Sequence, residues 1–262
     1  MPIPERLKPS FAARRPPAPD KTEEARKRLI VALDVPSAKA AAELVKQLEG
    51  TCQWFKVGLE LFAAAGPAVL EPPVARGHSV FLDLKFHDIP NTVAGAVRSA
   101  AGWGVRMMTV HAAGGPAMLE AARAALDGAA NPPELLAVTV LTSMDAAQLR
   151  AAGVRRSPAE QVELLAKMAL QAGIRGFVCS PQEVAALRAL AGPEGVLVVP
   201  GIRPADGWIP SRIDDQKRIA TPADALRLGA NYLVVGRPIT QAPDPAEAAR
   251  AILEEMAKAL SS

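Results

Sequence analysis

The chain has 262 residues, half of them hydrophobic but only 4% aromatic, and a formal net charge of +3. That length suits one α/β domain with an aliphatic core; no run approaches the apolar length of a membrane span, and the charged N-terminus lacks the apolar stretch of a secretory signal. The positive charge is local, with eight Lys/Arg against four Asp/Glu in residues 1–28, so nothing supports nucleic-acid binding, which would want a basic patch with interleaved aromatics.

Residues 1–27 open the chain as a Pro-rich basic stretch, Met1-Pro-Ile-Pro and then Arg14-Arg15-Pro16-Pro17-Ala18-Pro19. Such a composition cannot bury enough apolar surface to offset its ordering entropy. Residues 1–27 are therefore expected to be a flexible leader, with an Arg-containing targeting peptide as the sharper alternative. Residues 28–262 are expected to form the folded domain.

From Leu29 onward, short apolar runs alternate with Ala/Leu/Glu-rich helical stretches. The runs are Leu29–Leu33, Gln53–Val57, Ser79–Leu84, Met107–Val110, Leu135–Leu141, Gly176–Cys179, Val196–Val199 and Tyr232–Val235. Helix starts are marked by Ser37 before Ala38–Leu48, Ser157-Pro158 before Ala159–Gln171, Ser180-Pro181 before Gln182–Leu190, and Thr221-Pro222 before Ala223–Leu228. Repeated βα units predict a parallel sheet, and eight of them predict a closed (β/α)8 TIM barrel. An open doubly wound sheet would carry an early G-x-G-x-x-G turn, which is absent; Gly114-Gly115 reads as a turn opening a helix.

Active sites of such barrels lie at the C-terminal ends of the strands. At that address the first strand ends in Asp34, the second carries Lys56, and the third carries Asp83 and Lys85 with Asp88 just beyond. The fifth ends in Thr142, the seventh in Pro200-Gly201-Ile202-Arg203 and the eighth in Gly236-Arg237. Strand alternation puts Asp83 and Lys85 on one face, with Val80, Leu82 and Leu84 on the other. Lys56 likewise opposes Phe55 and Val57, and Asp34 opposes Val31 and Leu33. Buried charges must be paired, and Lys56, Asp83, Lys85 and Asp88 supply two cations and two anions that can hold one another ionised. An ordinary ion-pair cluster at a barrel rim would use the same residues, and the pairing alone names no reaction.

Arg203, Gln216 and Arg237 form a second constellation with backbone donors near Gly201 and Gly236. Loops after the seventh and eighth strands are a frequent phosphate site, the guanidinium fork matches phosphate oxygens, and glycine at 236 lets a phosphate approach the backbone. A surface arginine pair is the bland alternative. Cys52 and Cys179 form neither a disulfide framework nor a metal pair; they read as buried fillers and fit a reducing, cytoplasmic compartment. His78, His87 and His111 lack metal-ligand spacing. His78 reads as a solvated turn residue, His87 as able to orient a neighbour, and His111 as a packing residue.

The stretch Asp83-Leu-Lys85-Phe-His87-Asp88-Ile-Pro90-Asn91-Thr92 resembles the signature of the orotidine 5'-monophosphate decarboxylase family. Val31-Ala-Leu-Asp34-Val-Pro36, Phe55-Lys56-Val-Gly58, Thr109-Val-His111-Ala-Ala-Gly114-Gly115, Leu141-Thr142-Ser143, Pro200-Gly201-Ile202-Arg203-Pro204, Asp215-Gln216-Lys217-Arg218 and Val235-Gly236-Arg237-Pro238-Ile239 resemble its other motifs, in the same order. The resemblance runs from about Arg28 to the C-terminal helix. It departs at Phe86, where another apolar residue is common, and at Asp214, where a glycine is usual.

The resemblance implies decarboxylation of orotidine 5'-monophosphate to UMP, with no cofactor and no metal, by a homodimer. Asp34 and Lys56 would bind the ribose hydroxyls, Asp83 would face the substrate carboxylate, and Lys85 would protonate C6. Asp88, Ile89 and Thr92 would reach the partner subunit's site, and Thr142 would read the pyrimidine edge. Pro200, Arg203, Gln216, Gly236 and Arg237 would hold the phosphate, with Pro204–Arg218 as a candidate lid. Relatives acting on sugar phosphates share an Asp-x-Lys-x-x-Asp core and use a metal ion; the block His87–Thr92 and Thr142 favour the nucleotide. A binding module without chemistry would be expected to have lost Asp83 or Lys85.

Overall fold

The computed structural model describes residues 20–205 and 218–261. Residues 1–19 of the expected leader and Gln216 lie outside the described residues.

The first described element, α1 (Lys21–Arg26), falls inside the stretch read as leader. Asp20 caps it by accepting from the Thr22 amide, and Ala25 is fully buried. Charges that looked like a solvated run are instead matched along the helix: Arg26 pairs with Glu23 at 3.1 Å and Arg28 with Glu24 at 2.6 Å. The Arg26 guanidinium also donates to the carbonyls of Gly50 and Thr51, at 2.6 and 3.1 Å. The folded body therefore takes in Asp20–Lys27.

Eight parallel strands close a barrel in sequence order: β1 (Leu29–Ala32), β2 (Trp54–Gly58), β3 (Ser79–Phe86), β4 (Met107–His111), β5 (Glu134–Val138), β6 (Gly176–Val178), β7 (Val196–Val199) and β8 (Tyr232–Val235). The ring is completed by β8 against β1, with Leu29 opposite Leu233. Around it run α2 (Ala38–Gln47), α3 (Leu59–Ala65), α4 (Glu71–Ala75), α5 (Pro90–Ala101), α6 (Pro116–Ala124), α7 (Ala146–Ala151), α8 (Pro158–Gln171), α9 (Val184–Ala191), α10 (Pro222–Arg227), α11 (Arg237–Thr240) and α12 (Pro245–Ala259).

The helix starts follow local chemistry. Ser37 accepts from the Ala40 amide and Thr221 from the Asp224 amide. Ser157 and Glu160 make a reciprocal capping box, which satisfies two otherwise orphaned donors. Proline sits in the first turn of α5, α8, α10 and α12, where its missing N–H has no partner to lose.

Alternation splits the apolar residues into two cores. Val31, Leu33, Phe55 and Val57 join the layer between strands and helices, while Ile30, Ala32, Phe81, Met107, Leu136, Val198 and Val234 plug the barrel itself. The plug sets a floor; two residues beyond Ala32, Trp54, Phe81 and Met107, toward the strand C-termini, stand the polar Asp34, Lys56, Asp83 and Thr109.

Two strand boundaries differ from the hydrophobic pattern. β5 stops at Val138 because β6 offers only Gly176–Val178 to pair with Leu136–Val138; the apolar residues after it turn away, closed by the Met144 amide on the Leu141 carbonyl at 2.9 Å. β3 runs on to Phe86, and its register jumps: Leu82 pairs with Met108, but Phe86 with Val110. The extra residues form a bulge, and Lys85 within it has φ 51°, a left-handed conformation that only glycine adopts freely. Among the described residues no helix is long and apolar enough to cross a membrane.

Candidate active site

A cleft of about 640 Å³ opens above the plug, at the C-terminal ends of the strands, within the size range of small-molecule sites. Asp34, Lys56, Asp83, Lys85, Thr142, Pro200, Arg203, Gly236 and Arg237 all line it.

One side is a chain of alternating charges. The Lys56 ammonium lies 2.9 Å from Asp34 and 3.7 Å from Asp83; the Lys85 ammonium lies 2.8 Å from Asp83. The Asp83 and Lys56 side chains are nearly enclosed, at 12% and 11% exposure, while Asp34 is open at 54%. Burial pushes the Asp83 carboxyl up, but Lys56, Lys85 and hydrogen bonds from Lys85 and Thr109 outweigh it and hold the group below the usual carboxylate range.

Asp88 stands apart from this network within the single chain. It is exposed, and its carboxylate accepts from the neighbouring Ile89 amide at 2.6 Å. Asp88, Ile89 and Thr92 do not line the cleft, and Ile89 is 67% exposed. The second anion touching the lysines is Asp34 instead.

On the β7 and β8 side, Pro200, Gly201 and Arg203 face the same space as Gly236, Arg237, Thr240 and Gln241. Arg203 is anchored by its backbone amide on the Ala220 carbonyl at 2.9 Å, beside the Ile202–Ala220 bridge.

Two further residues build the network without having been singled out from sequence. Thr109 is fully buried on β4; its hydroxyl donates to Asp83 at 3.1 Å and accepts from the Lys85 amide at 2.8 Å. A lone hydroxyl in an apolar strand was the available signal. Replacing Thr109 with Val is expected to cost about 1–3 kcal/mol in urea unfolding, because it orphans the Lys85 amide and removes a donor from Asp83. Wild-type stability in that variant would show that neither bond matters. Gly58 is the other: a Cβ there would sit 2.8 Å from the Lys56 Nζ and 3.2 Å from the Asp34 carboxylate.

Of the histidines, His78 departs from its sequence reading. His87 and His111 stack, with centroids 5.2 Å apart and planes at 16°. Burial, then the neighbouring His87 and Lys85, lower the His111 pKa. His78 meets the Phe55 ring edge-on at 5.0 Å, and its Nε2 is buried, without a partner among the described residues, rather than solvated. Both cysteines are free and buried; burial raises the Cys52 thiol to about 12 and pushes Cys179 up as well.

Residues 27–252 match the sequence profile of the Orotidine 5'-phosphate decarboxylase / HUMPS family. The chain is similar to proteins named orotidine 5'-phosphate decarboxylase from Moorella thermoacetica, at 53% identity over 88% of this chain and 93% of that protein, and from Anaeromyxobacter dehalogenans, at 54% over 86% and 96%. The solved structure of orotidine 5'-phosphate decarboxylase from Lactobacillus acidophilus superposes with a TM-score of 0.76 at 39% identity, covering 88% of this chain and 99% of that one.

Proposed function

The chain belongs to the Orotidine 5'-phosphate decarboxylase / HUMPS family, and from that premise we propose that it converts orotidine 5'-monophosphate to UMP, the last step of de novo pyrimidine nucleotide synthesis, with no metal or cofactor. The observation that carries the reading is the Lys85 ammonium held 2.8 Å from enclosed Asp83 in a cleft that also presents Arg203 and Arg237.

The chemistry explains the residue types. When the C6–carboxylate bond breaks, its electron pair stays on C6 in an sp2 orbital lying in the ring plane, where the ring cannot delocalise it. A fixed cation at that point stabilises the developing charge. Lys85 is that cation, and it passes a proton to C6 as carbon dioxide leaves. Asp83 faces the departing carboxylate, which disfavours the ground state, and helps keep both lysines charged. Asp34 and Lys56 take the ribose hydroxyls, and Thr142 reads the pyrimidine edge. Pro200, Arg203, Gln216, Gly236 and Arg237 hold the phosphate, whose binding energy is remote from C6 yet available to the chemical step.

The enzyme works as a cytoplasmic homodimer, with Asp88, Ile89 and Thr92 completing the partner subunit's site. The exposure of Ile89, an apolar side chain in a charged segment, supports that assignment.

The direct test mixes purified protein with orotidine 5'-monophosphate, with and without EDTA, and follows loss of the orotate chromophore. EDTA-insensitive conversion to UMP is expected. No conversion by folded protein would sink the reading, and a magnesium requirement would favour a sugar-phosphate substrate.

Two substitutions probe the geometry. Gly58→Ala is expected to displace the Lys56 ammonium and lower kcat/KM on the order of tenfold or more, with little change in melting temperature because only the tip of a flexible side chain must move. Unchanged turnover would mean that the position of Lys56 is not critical. Arg237→Ala is expected to lower kcat/KM for the nucleotide by about 10- to 100-fold, the worth of a charge-assisted hydrogen bond, and to have no effect on phosphate-free orotidine. An equal loss on both substrates would remove Arg237 from the phosphate site.

A further inference from the structure

Behind the cleft wall lies a buried ion pair that the chemistry above does not use. Glu183 ends a short turn after β6, and Arg218 lies between β7 and α10. Their side chains are 7% and 11% exposed, and neither lines the cleft.

The pair ties three loops together. One Glu183 oxygen pairs with Arg218 Nη1, and the other accepts from the Ser180 amide at 2.8 Å. Arg218 Nη2 donates to the Leu141 carbonyl at 3.2 Å. That carbonyl also accepts from the Met144 amide at 2.9 Å and so closes the turn Leu141–Met144. The two central residues of the turn, Thr142 and Ser143, both line the cleft.

Stability is a poor explanation for the arrangement. Buried ion pairs can often be replaced by apolar side chains with no loss, and Arg218 Nε is buried here with no hydrogen-bond partner among the described residues. What the pair supplies is direction. A guanidinium is a rigid planar fork that can hold a carboxylate with one nitrogen and a carbonyl with another, which a lysine ammonium on a flexible stem cannot do with fixed geometry.

We infer that Glu183 and Arg218 are positioning residues for the decarboxylation, holding the Leu141–Met144 turn so that Thr142 and Ser143 meet the pyrimidine edge. The inference rests on the decarboxylase reading above.

The test uses the full chain carrying Arg218→Lys or Glu183→Gln, each alone and combined with Thr142→Ala. Steady-state kinetics are measured on orotidine 5'-monophosphate and on phosphate-free orotidine, with thermal melts alongside. Each single variant is expected to lower kcat/KM on the order of ten- to a hundredfold, by the same factor on both substrates. Each is also expected to be non-additive with Thr142→Ala, because the residues act through one turn.

Wild-type kinetics in the variants would overturn the inference, as would additive effects. So would a loss confined to the phosphorylated substrate, which would place the pair's action at the phosphate end. Glu183→Gln keeps side-chain size and an oxygen for the Ser180 amide, so it decides alone if Arg218→Lys does not fold. An inactive wild-type chain sinks the decarboxylase reading itself; an active wild type with unimpaired variants sinks only the role of the pair.

Discussion

Lys85→Ala is expected to lower kcat for orotidine 5'-monophosphate on the order of 10⁴-fold or more, since it removes both the cation opposite the C6 electron pair and the proton that quenches it. The placement of Lys85 makes this effect hard to compensate. Its ammonium is held by Asp83 at 2.8 Å and its own amide by Thr109 at 2.8 Å, so backbone and side chain are both fixed by neighbours. The variant should still fold, because Asp83 keeps Lys56 at 3.7 Å and the Thr109 hydroxyl. Wild-type turnover in folded Lys85→Ala would assign the proton to another group. A companion measurement separates chemistry from backbone. At φ 51° alanine is strained and glycine is not, so Lys85→Gly is expected to be more stable than Lys85→Ala by about 1 kcal/mol in urea, although both lack the ammonium. Equal stabilities would mean that the left-handed turn at Lys85 carries no strain.

Asp83→Asn is expected to lower kcat on the order of 10³-fold and to change how stability responds to acid. The Asp83 carboxyl is held below its ordinary value despite burial, by Lys56 and Lys85 and by hydrogen bonds from Lys85 and Thr109. A group with a depressed folded pKa contributes stability that is fully present above its unfolded value, about 3.9, and lost as pH falls through the lower folded value. Wild-type protein should therefore lose this contribution only in the acid range below about pH 4, and Asp83→Asn should lack that part of the acid limb. At neutral pH the variant should be less stable by about 3 kcal/mol, the low end for a broken buried pair, because Lys85 is partly open to water. Urea titrations of both proteins from pH 3 to pH 7 measure it. Parallel stability–pH curves would show that Asp83 is not held low in the folded state.

Much of the architecture could be read from period and punctuation. The eight apolar runs and their Ser-Pro or Thr-Pro helix starts correspond to β1–β8 and to helices such as α8 and α10. What failed has local causes. α1 was invisible because Asp20–Lys27 carries six charges and one buried alanine; its fixation comes from Arg26 reaching the Gly50 and Thr51 carbonyls, a contact no local pattern encodes. The end of β5 depended on the short length of β6, again a partner's property. Alternation put Asp83 and Lys85 on one face, and their carboxylate–ammonium contact agrees with that, but the backbone between them is bulged rather than regular. Within one chain Asp34, just past β1, pairs with Lys56, while Asp88 lies beyond the end of β3 and accepts from the Ile89 amide. Thr109 and Gly58 stood in the family-like motifs without a role, because one resembles a strand filler and the other a turn residue until their neighbours in space are known.

The hydrogen-bonded ring closes by pairing Leu29 with Leu233, so its first and last strands lie roughly two hundred residues apart, the kind of non-local contact that makes folding slow. On a ribosome, β1 through β7 emerge before the strand that seals them, and both edges of the growing sheet stay open to pairing with other chains. The constellation above the plug shares this dependence. Asp34 follows β1, Lys56 and Asp83 lie on β2 and β3, and Arg237 follows β8, so a nascent chain stopped before β8 carries most of the charges of the site but lacks the strand that closes the cleft. The cleft is therefore complete only once β8 has paired with β1, long after most of its charges have been synthesised.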